Sequence, residues 1–124
     1  MTHAKITGTC LCGSISFTHE SPEKLVRCNC LACRSYGTLW AHGSLTMTSI
    51  TTNGPTTRYI RADSNGDLAF VSCATCGVTT HWEPTTPQNG PAYMAVNAAL
   101  CDPATTTDLR IRHFDGADAF AFLD

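Results

Sequence analysis

The sequence has little charge, and the charge it carries is not concentrated in one region. Only 15% of its 124 residues are charged, and eight lysines and arginines stand against ten aspartates and glutamates, for a formal net charge of -2. Because no basic stripe is present to displace counterions from a phosphate backbone, we predict no nucleic-acid partner. With 43% hydrophobic residues, the chain also lacks the composition of an intrinsically disordered protein.

Long apolar segments are missing as well. No stretch approaches the roughly 18 apolar residues of a membrane span, and the first ten residues, MTHAKITGTC, contain no apolar core of a secretory signal. We therefore expect a soluble, cytoplasmic protein without a membrane partner. Thiols stay reduced in that compartment, where clustered cysteines more often bind metals than form disulfides.

Helical periodicity is scarce, and strand-like runs take its place. Threonine, which favours strands and turns, is abundant. Strand-length runs recur at 14–18, 24–29, 39–42, 45–48, 57–61, 68–73, 78–83, 93–97 and 109–114. Turn-rich segments lie between some of them, at 53–55, 64–67 and 84–91. This pattern predicts a mainly β, antiparallel fold. We expect a single domain over residues 1–124 with little helix, for which 31–36 and 116–120 are the candidates.

Cysteine is the residue type present in excess. Eight cysteines in 124 residues exceed ordinary usage but fall below the roughly 8–10% typical of disulfide scaffolds. Cys101 stands alone. The other seven cysteines lie in three motifs: Cys10-Leu11-Cys12-Gly13, Cys28-Asn29-Cys30-Leu31-Ala32-Cys33 and Cys73-Ala74-Thr75-Cys76-Gly77. Three such motifs in one chain indicate zinc binding.

The first and third motifs are predicted to form one structural metal site. Cys73 and Cys76, followed by Gly77, have the spacing of a zinc-knuckle turn in which the glycine takes a positive φ. Cys10 and Cys12 are predicted to point to the same side of an extended segment and to supply the other half. Four thiolates make a closed tetrahedral zinc site, and such a zinc contributes directly to folding.

The middle motif is predicted to hold a second zinc with an open position. It supplies three sulfurs within six residues: Cys28, Cys30 and Cys33. Three protein ligands with a free fourth position are the arrangement of catalytic zinc. One alternative is a second structural site, closed by Cys101 or by a histidine such as His42 or His81. Disulfides are a further alternative, which the Cys-x-Cys spacing disfavours.

Several other residues are expected to be structural. Cys101 has no partner motif, and we expect it to bind no metal. His42 and His81 are expected to be ordinary strand histidines more often than ligands. Four aromatic residues are expected in the core or half-buried on strands, not in an aromatic ligand site: Phe17, Trp40, Phe70 and Trp82.

The three motifs together resemble the glutathione-dependent formaldehyde-activating family, which includes the centromere protein V domain. The resemblance rests on residues 8–17, 28–34 and 70–77, which follow one another with the family's spacing. It implies a β-rich fold related to the Mss4-like zinc proteins, with two zinc ions per chain. One zinc is implied on Cys10, Cys12, Cys73 and Cys76, and the second on Cys28, Cys30 and Cys33.

The family's namesake activity implies a function. It joins glutathione to formaldehyde to give S-hydroxymethylglutathione, a carbon-sulfur lyase reaction run in the synthetic direction. We therefore predict a zinc-binding, lyase-like enzyme that adds a small thiol, such as glutathione, to formaldehyde or another small aldehyde. The zinc site of Cys28, Cys30 and Cys33 is the candidate catalytic site, and Arg34 is the candidate contact for a glutathione carboxylate.

Two other classes of function stay open. One is a non-catalytic, zinc-stabilised binding module, which the centromere branch of the resemblance suggests. The other is a redox or metal sensor, in which the three cysteines of the middle motif release zinc on oxidation.

Overall fold

The fold is built from two β-sheets. The computed structural model describes residues 5–20, 22–61, 66–85 and 93–124, which form ten strands, two short α-helices and two 3-10 turns. The strands are β1 (Ile6–Thr9), β2 (Ile15–His19), β3 (Lys24–Cys28), β4 (Trp40–Ser44), β5 (Thr48–Thr52), β6 (Thr56–Ile60), β7 (Leu68–Cys73), β8 (Thr79–Pro84), β9 (Tyr93–Asn97) and β10 (Arg110–Phe114). The helices are α1 (Leu31–Tyr36) and α2 (Pro103–Thr106), and the 3-10 turns span Leu45–Met47 and Ala98–Leu100.

The strand order confirms the predicted mainly β fold with antiparallel sheets and little helix. One sheet has three strands in the order β1-β2-β5, and the other has seven in the order β10-β3-β4-β9-β8-β7-β6. Neighbouring strands are antiparallel, with the exception of β10, which runs parallel to β3 from Arg110 opposite Lys24 to Phe114 opposite Cys28. No helix in the described parts of the chain is long and apolar enough to cross a membrane.

The seven-stranded sheet buries apolar side chains on both faces. One face packs against the three-stranded sheet, with Leu25, Ala41 and Val96 in one cluster with Ile6 and Phe17. Side chains alternate between the faces of a strand, so the neighbours of these residues point the other way. On that second face, the buried cluster consists of Val26, Trp40, Phe70, Ala95, Cys30 and Cys33. The second face is therefore the one that adjoins the middle cysteine motif.

The predicted elements differ from the observed ones in three places. Residues 45–48, predicted as a strand, form the 3-10 turn Leu45–Met47 and the start of β5, and β1 was not predicted. The helix expected at 31–36 is present as α1, but 116–120 forms turns instead of a helix. There, Phe120 takes a φ of +54° and its backbone N–H donates to the Asp115 carbonyl at 2.7 Å, which closes the segment after a single turn. The predicted turns at 64–67 and 84–91 lie largely outside the described residues.

Candidate functional site

The first and third cysteine motifs meet in space. We call Cys10, Cys12, Cys73 and Cys76 the four-cysteine cluster; their Sγ atoms all lie within 4.8 Å of one another. The Sγ of Cys12 is 3.7 Å from that of Cys10 and 3.6 Å from that of Cys73. Four sulfurs bound tetrahedrally at about 2.3 Å from a zinc ion are about 3.8 Å from one another. The spacing of the cluster therefore fits zinc.

Two tight turns present these four sulfurs. The N–H of Gly13 donates to the Cys10 carbonyl at 3.0 Å, and the N–H of Gly77 donates to the Cys73 carbonyl at 2.8 Å. Both glycines have positive φ, +83° and +79°, which confirms the prediction for Gly77. The prediction of an extended segment at Cys10 and Cys12 is wrong, because the Gly13 hydrogen bond closes a turn directly after β1.

Ser14 is a residue of this cluster that sequence reasoning missed. Its Oγ lies 3.2 Å from the Sγ of Cys73 and 3.3 Å from the Sγ of Cys12. The hydrogen bond from Ser14, together with the backbone N–H of Cys76, lowers the pKa of Cys73 to about 5. Donors of this kind stabilise the thiolate form that a metal requires.

The middle motif forms the second group. We call Cys28, Cys30 and Cys33 the three-cysteine cluster; their Sγ atoms also lie within 4.8 Å of one another. Cys28 ends β3, and Cys30 caps α1 by accepting the N–H of Cys33 at 3.4 Å. Burial raises the pKa of Cys33 to about 12. A buried thiol of this kind loses its proton readily only when a cation binds beside it, so the donor set also fits a metal ion.

Two donors from outside the middle motif reach this cluster. The indole Nε1 of Trp40 donates to the Sγ of Cys33 at 3.3 Å, and Nη1 of Arg61 lies 3.7 Å from the Sγ of Cys30. A zinc ion with three thiolates carries a formal charge of about -1, which the guanidinium of Arg61 offsets. Neither contact is visible in the spacing of the cysteine motifs.

A cavity of about 720 Å³ opens onto the three-cysteine cluster. All three of its cysteines line the cavity, whereas none of the four-cysteine cluster does among the described residues. Its floor is the second face of the seven-stranded sheet, and its wall includes the chain after β10. The aromatic lining consists of Trp40, Phe70, Trp82, Tyr93, Phe114, Phe120 and Phe122.

The comparisons with known proteins bear on this arrangement. The sequence model of the glutathione-dependent formaldehyde-activating enzyme family matches residues 5–114, a span that contains both cysteine clusters. The chain belongs to this family. A search of curated proteins finds no match. The crystal structure of a Rhodobacter sphaeroides protein is 24% identical over 85% of this chain and 98% of that chain, with a TM-score of 0.65, which shows a shared fold.

The structure of this formaldehyde-activating family member places Arg34 away from the cavity. Its Nε donates to the carbonyl of Asn29 at 2.8 Å, and Arg34 is not among the residues that line the cavity. Arg61 and Lys24 do line it. The contact of Arg34 with a glutathione carboxylate stays a prediction, while Arg61 is the cation that lies beside the sulfurs.

Neither candidate histidine joins a cysteine cluster in the part of the chain that the structure describes. His42 is open to the cavity, where desolvation and the charge of Lys24 lower its pKa to about 4. His81 is buried, with Nδ1 2.8 Å from the hydroxyl of Thr80 and Nε2 3.6 Å from a Glu83 carboxylate oxygen. With its pKa lowered to about 4, His42 is uncharged at neutral pH.

Cys101 and the four candidate aromatic residues belong to neither cysteine cluster. Cys101 lies in the hydrophobic cluster between the sheets, where burial raises its pKa to about 11, and it belongs to neither cysteine cluster. Phe17 is in the same hydrophobic cluster, as expected. Trp40 and Phe70 are buried in the cluster of the second face and Trp82 is half-buried on β8, as expected, and all three also line the cavity. A strand position with a buried side chain does not distinguish a core from the floor of a cavity.

Replacing Trp40 by phenylalanine is expected to weaken zinc binding at the three-cysteine cluster about tenfold, because it removes the N–H donated to Cys33 and keeps most of the apolar ring. Competition with a chromophoric chelator measures this affinity. The control is Trp82→Phe, which also replaces an indole on the cavity floor by a phenyl ring. In the described hydrogen bonds, Trp82 contacts no cysteine sulfur. Equal zinc affinity in the two variants would contradict the role of the Trp40 donor.

Gly116→Ala is expected to disturb the three-cysteine cluster from the segment that follows β10. A Cβ at Gly116 would lie 2.6 Å from the Sγ of Cys28 and 3.3 Å from the Cβ of Cys30, so either the wall or the sulfur must shift. We expect zinc affinity of the cluster to fall about tenfold. Ala117→Ser, an exposed neighbour, serves as control in the same chelator titration, and wild-type affinity in Gly116→Ala would show that the wall moves freely.

Proposed function

We propose that the chain is a single zinc-binding domain and a carbon-sulfur lyase-like enzyme that joins a small thiol to a small aldehyde at the three-cysteine cluster. The observation that carries the proposal is the cavity, which reaches all three sulfurs of this cluster. Family membership supports the reaction class, because the family's name gives glutathione and formaldehyde as its reactants.

The two clusters are assigned different roles in this proposal. The four-cysteine cluster would hold a structural zinc through all four of its sulfurs. The three-cysteine cluster would hold the second zinc and leave one position facing the cavity. When bound there, zinc lowers the pKa of a thiol that coordinates it or polarises a carbonyl oxygen.

The protein's own residues would contribute binding and orientation. Trp40 holds the Cys33 sulfur in place through its N–H, and Arg61 offers positive charge beside Cys30, where it would attract an anionic thiolate. The cavity holds thiol and aldehyde next to each other, which replaces a bimolecular encounter by a local one. In the reaction, the thiol sulfur forms a bond to the carbonyl carbon, and the thiol proton ends on the carbonyl oxygen.

The shape of the site favours an enzyme over a binding module. A module that recognises a macromolecule presents an exposed surface, whereas this cavity of about 720 Å³ encloses three thiols and has the size of a small-molecule site. A small thiol and a small aldehyde fit together in that volume.

Exchange spectroscopy by NMR tests the proposal. Zinc-loaded protein is added to formaldehyde and a thiol at equilibrium, and the rate of exchange between the free thiol and its hydroxymethyl adduct is measured. We expect the rate to rise above the uncatalysed rate in proportion to the protein concentration. A rate that does not depend on the protein, with glutathione and with other small thiols alike, would overturn the proposed function.

A further inference from the structure

We infer that the thiol substrate carries an aromatic or otherwise apolar body, in place of the charged peptide of glutathione. This inference rests on the proposed function, since it names the substrate class of the same site. It is drawn from the composition of the cavity between the three-cysteine cluster and Lys24.

The floor of the cavity is largely an aromatic surface. Trp40 stacks on Phe70 with ring centroids 5.8 Å apart and an interplanar angle of 20°. Further along the sheet, His42 and Trp82 both lie opposite Ala95 of β9, and their ring centroids are 5.8 Å apart. Ala95 itself is fully buried, and the two rings close over it to form this part of the floor.

The wall beside the cysteines is aromatic as well. Phe114 ends β10, and the chain after it turns back so that Phe120 and Phe122 pack edge-on against Phe114, with centroids 5.0 Å and 5.1 Å away. All three rings line the cavity. Phe120 has a φ of +54°, a strained conformation for a residue other than glycine, which the local contacts of this segment maintain.

Charge is sparse in the cavity and unevenly placed. Among the described lining residues, the side chains charged at neutral pH are Glu23, Lys24 and Arg61. Arg61 lies beside the Cys30 sulfur, whereas the Cα of Lys24 is about 13 Å from that of Cys28 in the extended strand β3, and the Lys24 ammonium lies 6.0 Å from the ring centroid of Phe122. Glu23 is exposed. The surface between the sulfurs and Lys24 is therefore apolar.

This surface suits an apolar ligand better than a charged one. Glutathione carries two carboxylates and an ammonium group on the two sides of its thiol, and placing them over the aromatic rings that lie between Arg61 and Lys24 removes their water without supplying partners there. An aromatic body loses no such hydration, buries apolar area and stacks on the rings of the floor. The sulfur of such a thiol would face the three-cysteine cluster while its ring lies over Trp82.

Calorimetric titration of the zinc-loaded protein tests the inference, with 2-phenylethanethiol, glutathione and 2-mercaptoethanol as probes. We expect 2-phenylethanethiol to bind at least tenfold more tightly than glutathione. Trp82→Ala is expected to weaken the aromatic thiol about tenfold and to leave 2-mercaptoethanol unchanged. Phe122→Ala, a more exposed wall residue, provides a second variant with the same expected pattern, and Tyr59→Ala, an exposed ring on β6 outside the cavity lining, is the matched control.

The thiol titration and the exchange measurement together distinguish failure of this inference from failure of the proposed function. Tighter binding of glutathione, or an equal loss for all three thiols in both Trp82→Ala and Phe122→Ala, would overturn the inference. Accelerated exchange together with preferred glutathione binding would overturn the inference and leave the proposed function standing. Tight, Trp82-dependent binding of the aromatic thiol without accelerated exchange would support the inference about the ligand and overturn the proposed function.

Discussion

Replacing Cys73 by serine is expected to remove most of the stability of the fold. Cys73 ends β7, Cys10 follows β1, and each strand belongs to a different sheet, so the four-cysteine cluster links the two sheets. Structural zinc in small domains contributes roughly 10–16 kcal/mol of apparent binding free energy, against a total stability of about 5–15 kcal/mol. We expect the midpoint of thermal unfolding, followed by circular dichroism, to fall by more than about 20 °C, with loss of one zinc per chain.

Cys101→Ser is the matched control for this experiment. It makes the same change of atom at another buried cysteine, 6% exposed, which belongs to neither cluster. Placing a hydroxyl in that hydrophobic cluster costs about 1–3 kcal/mol, so we expect a decrease of several degrees and unchanged zinc content. If Cys73→Ser is no less stable than Cys101→Ser and keeps its zinc, the structural role of the four-cysteine cluster is wrong.

Replacing Cys30 by serine is expected to abolish the accelerated thiol-aldehyde exchange while the fold remains. Cys30 caps α1 through its side chain, and serine is itself a preferred N-cap residue, so the helix keeps its first hydrogen bond. The change removes one of three sulfur ligands and the contact with Arg61. We expect one zinc per chain instead of two, a thermal midpoint close to that of the wild type, and an exchange rate equal to the uncatalysed rate in the NMR measurement.

An unchanged exchange rate in Cys30→Ser would disprove catalysis at the three-cysteine cluster, since no other described group of metal-ligating residues borders the cavity. Cys101→Ser, which leaves the cavity lining intact, is the control and should exchange at the wild-type rate. A folded Cys30→Ser protein is required for the comparison, and its far-UV circular dichroism establishes that.

The partition of the cysteines could be predicted because spacing determines it locally. Two short motifs each place their sulfurs on one tight turn, and the glycine after the second cysteine permits the required φ in both, at Gly13 and Gly77. The middle motif needs only the first turn of α1 to gather its three sulfurs. Each motif depends on a few consecutive residues, so the sequence carries it, whereas the meeting of the first motif with the third depends on the packing of the two sheets.

The surroundings of the sulfurs could not be predicted, because they depend on strand pairing. Arg34 is adjacent to a ligand in the sequence yet donates to a backbone carbonyl, whereas Arg61 directly follows β6 and reaches Cys30 across the fold. The cavity above the aromatic floor could not be predicted for a similar reason. Strand alternation identifies buried positions such as Trp40 and Phe70, but it does not show that a wall of the later chain stands off from that face and leaves a cavity.

The two zinc sites are tested most directly by the metal content of the purified protein combined with X-ray absorption at the zinc edge. We predict two zinc ions per chain, with an average of between three and four sulfur neighbours per zinc at about 2.3 Å. Cys30→Ser should then contain one zinc with four sulfurs. Fewer than two zinc ions in wild-type protein purified and reloaded with zinc, or a first shell composed mainly of nitrogen and oxygen, would contradict this prediction.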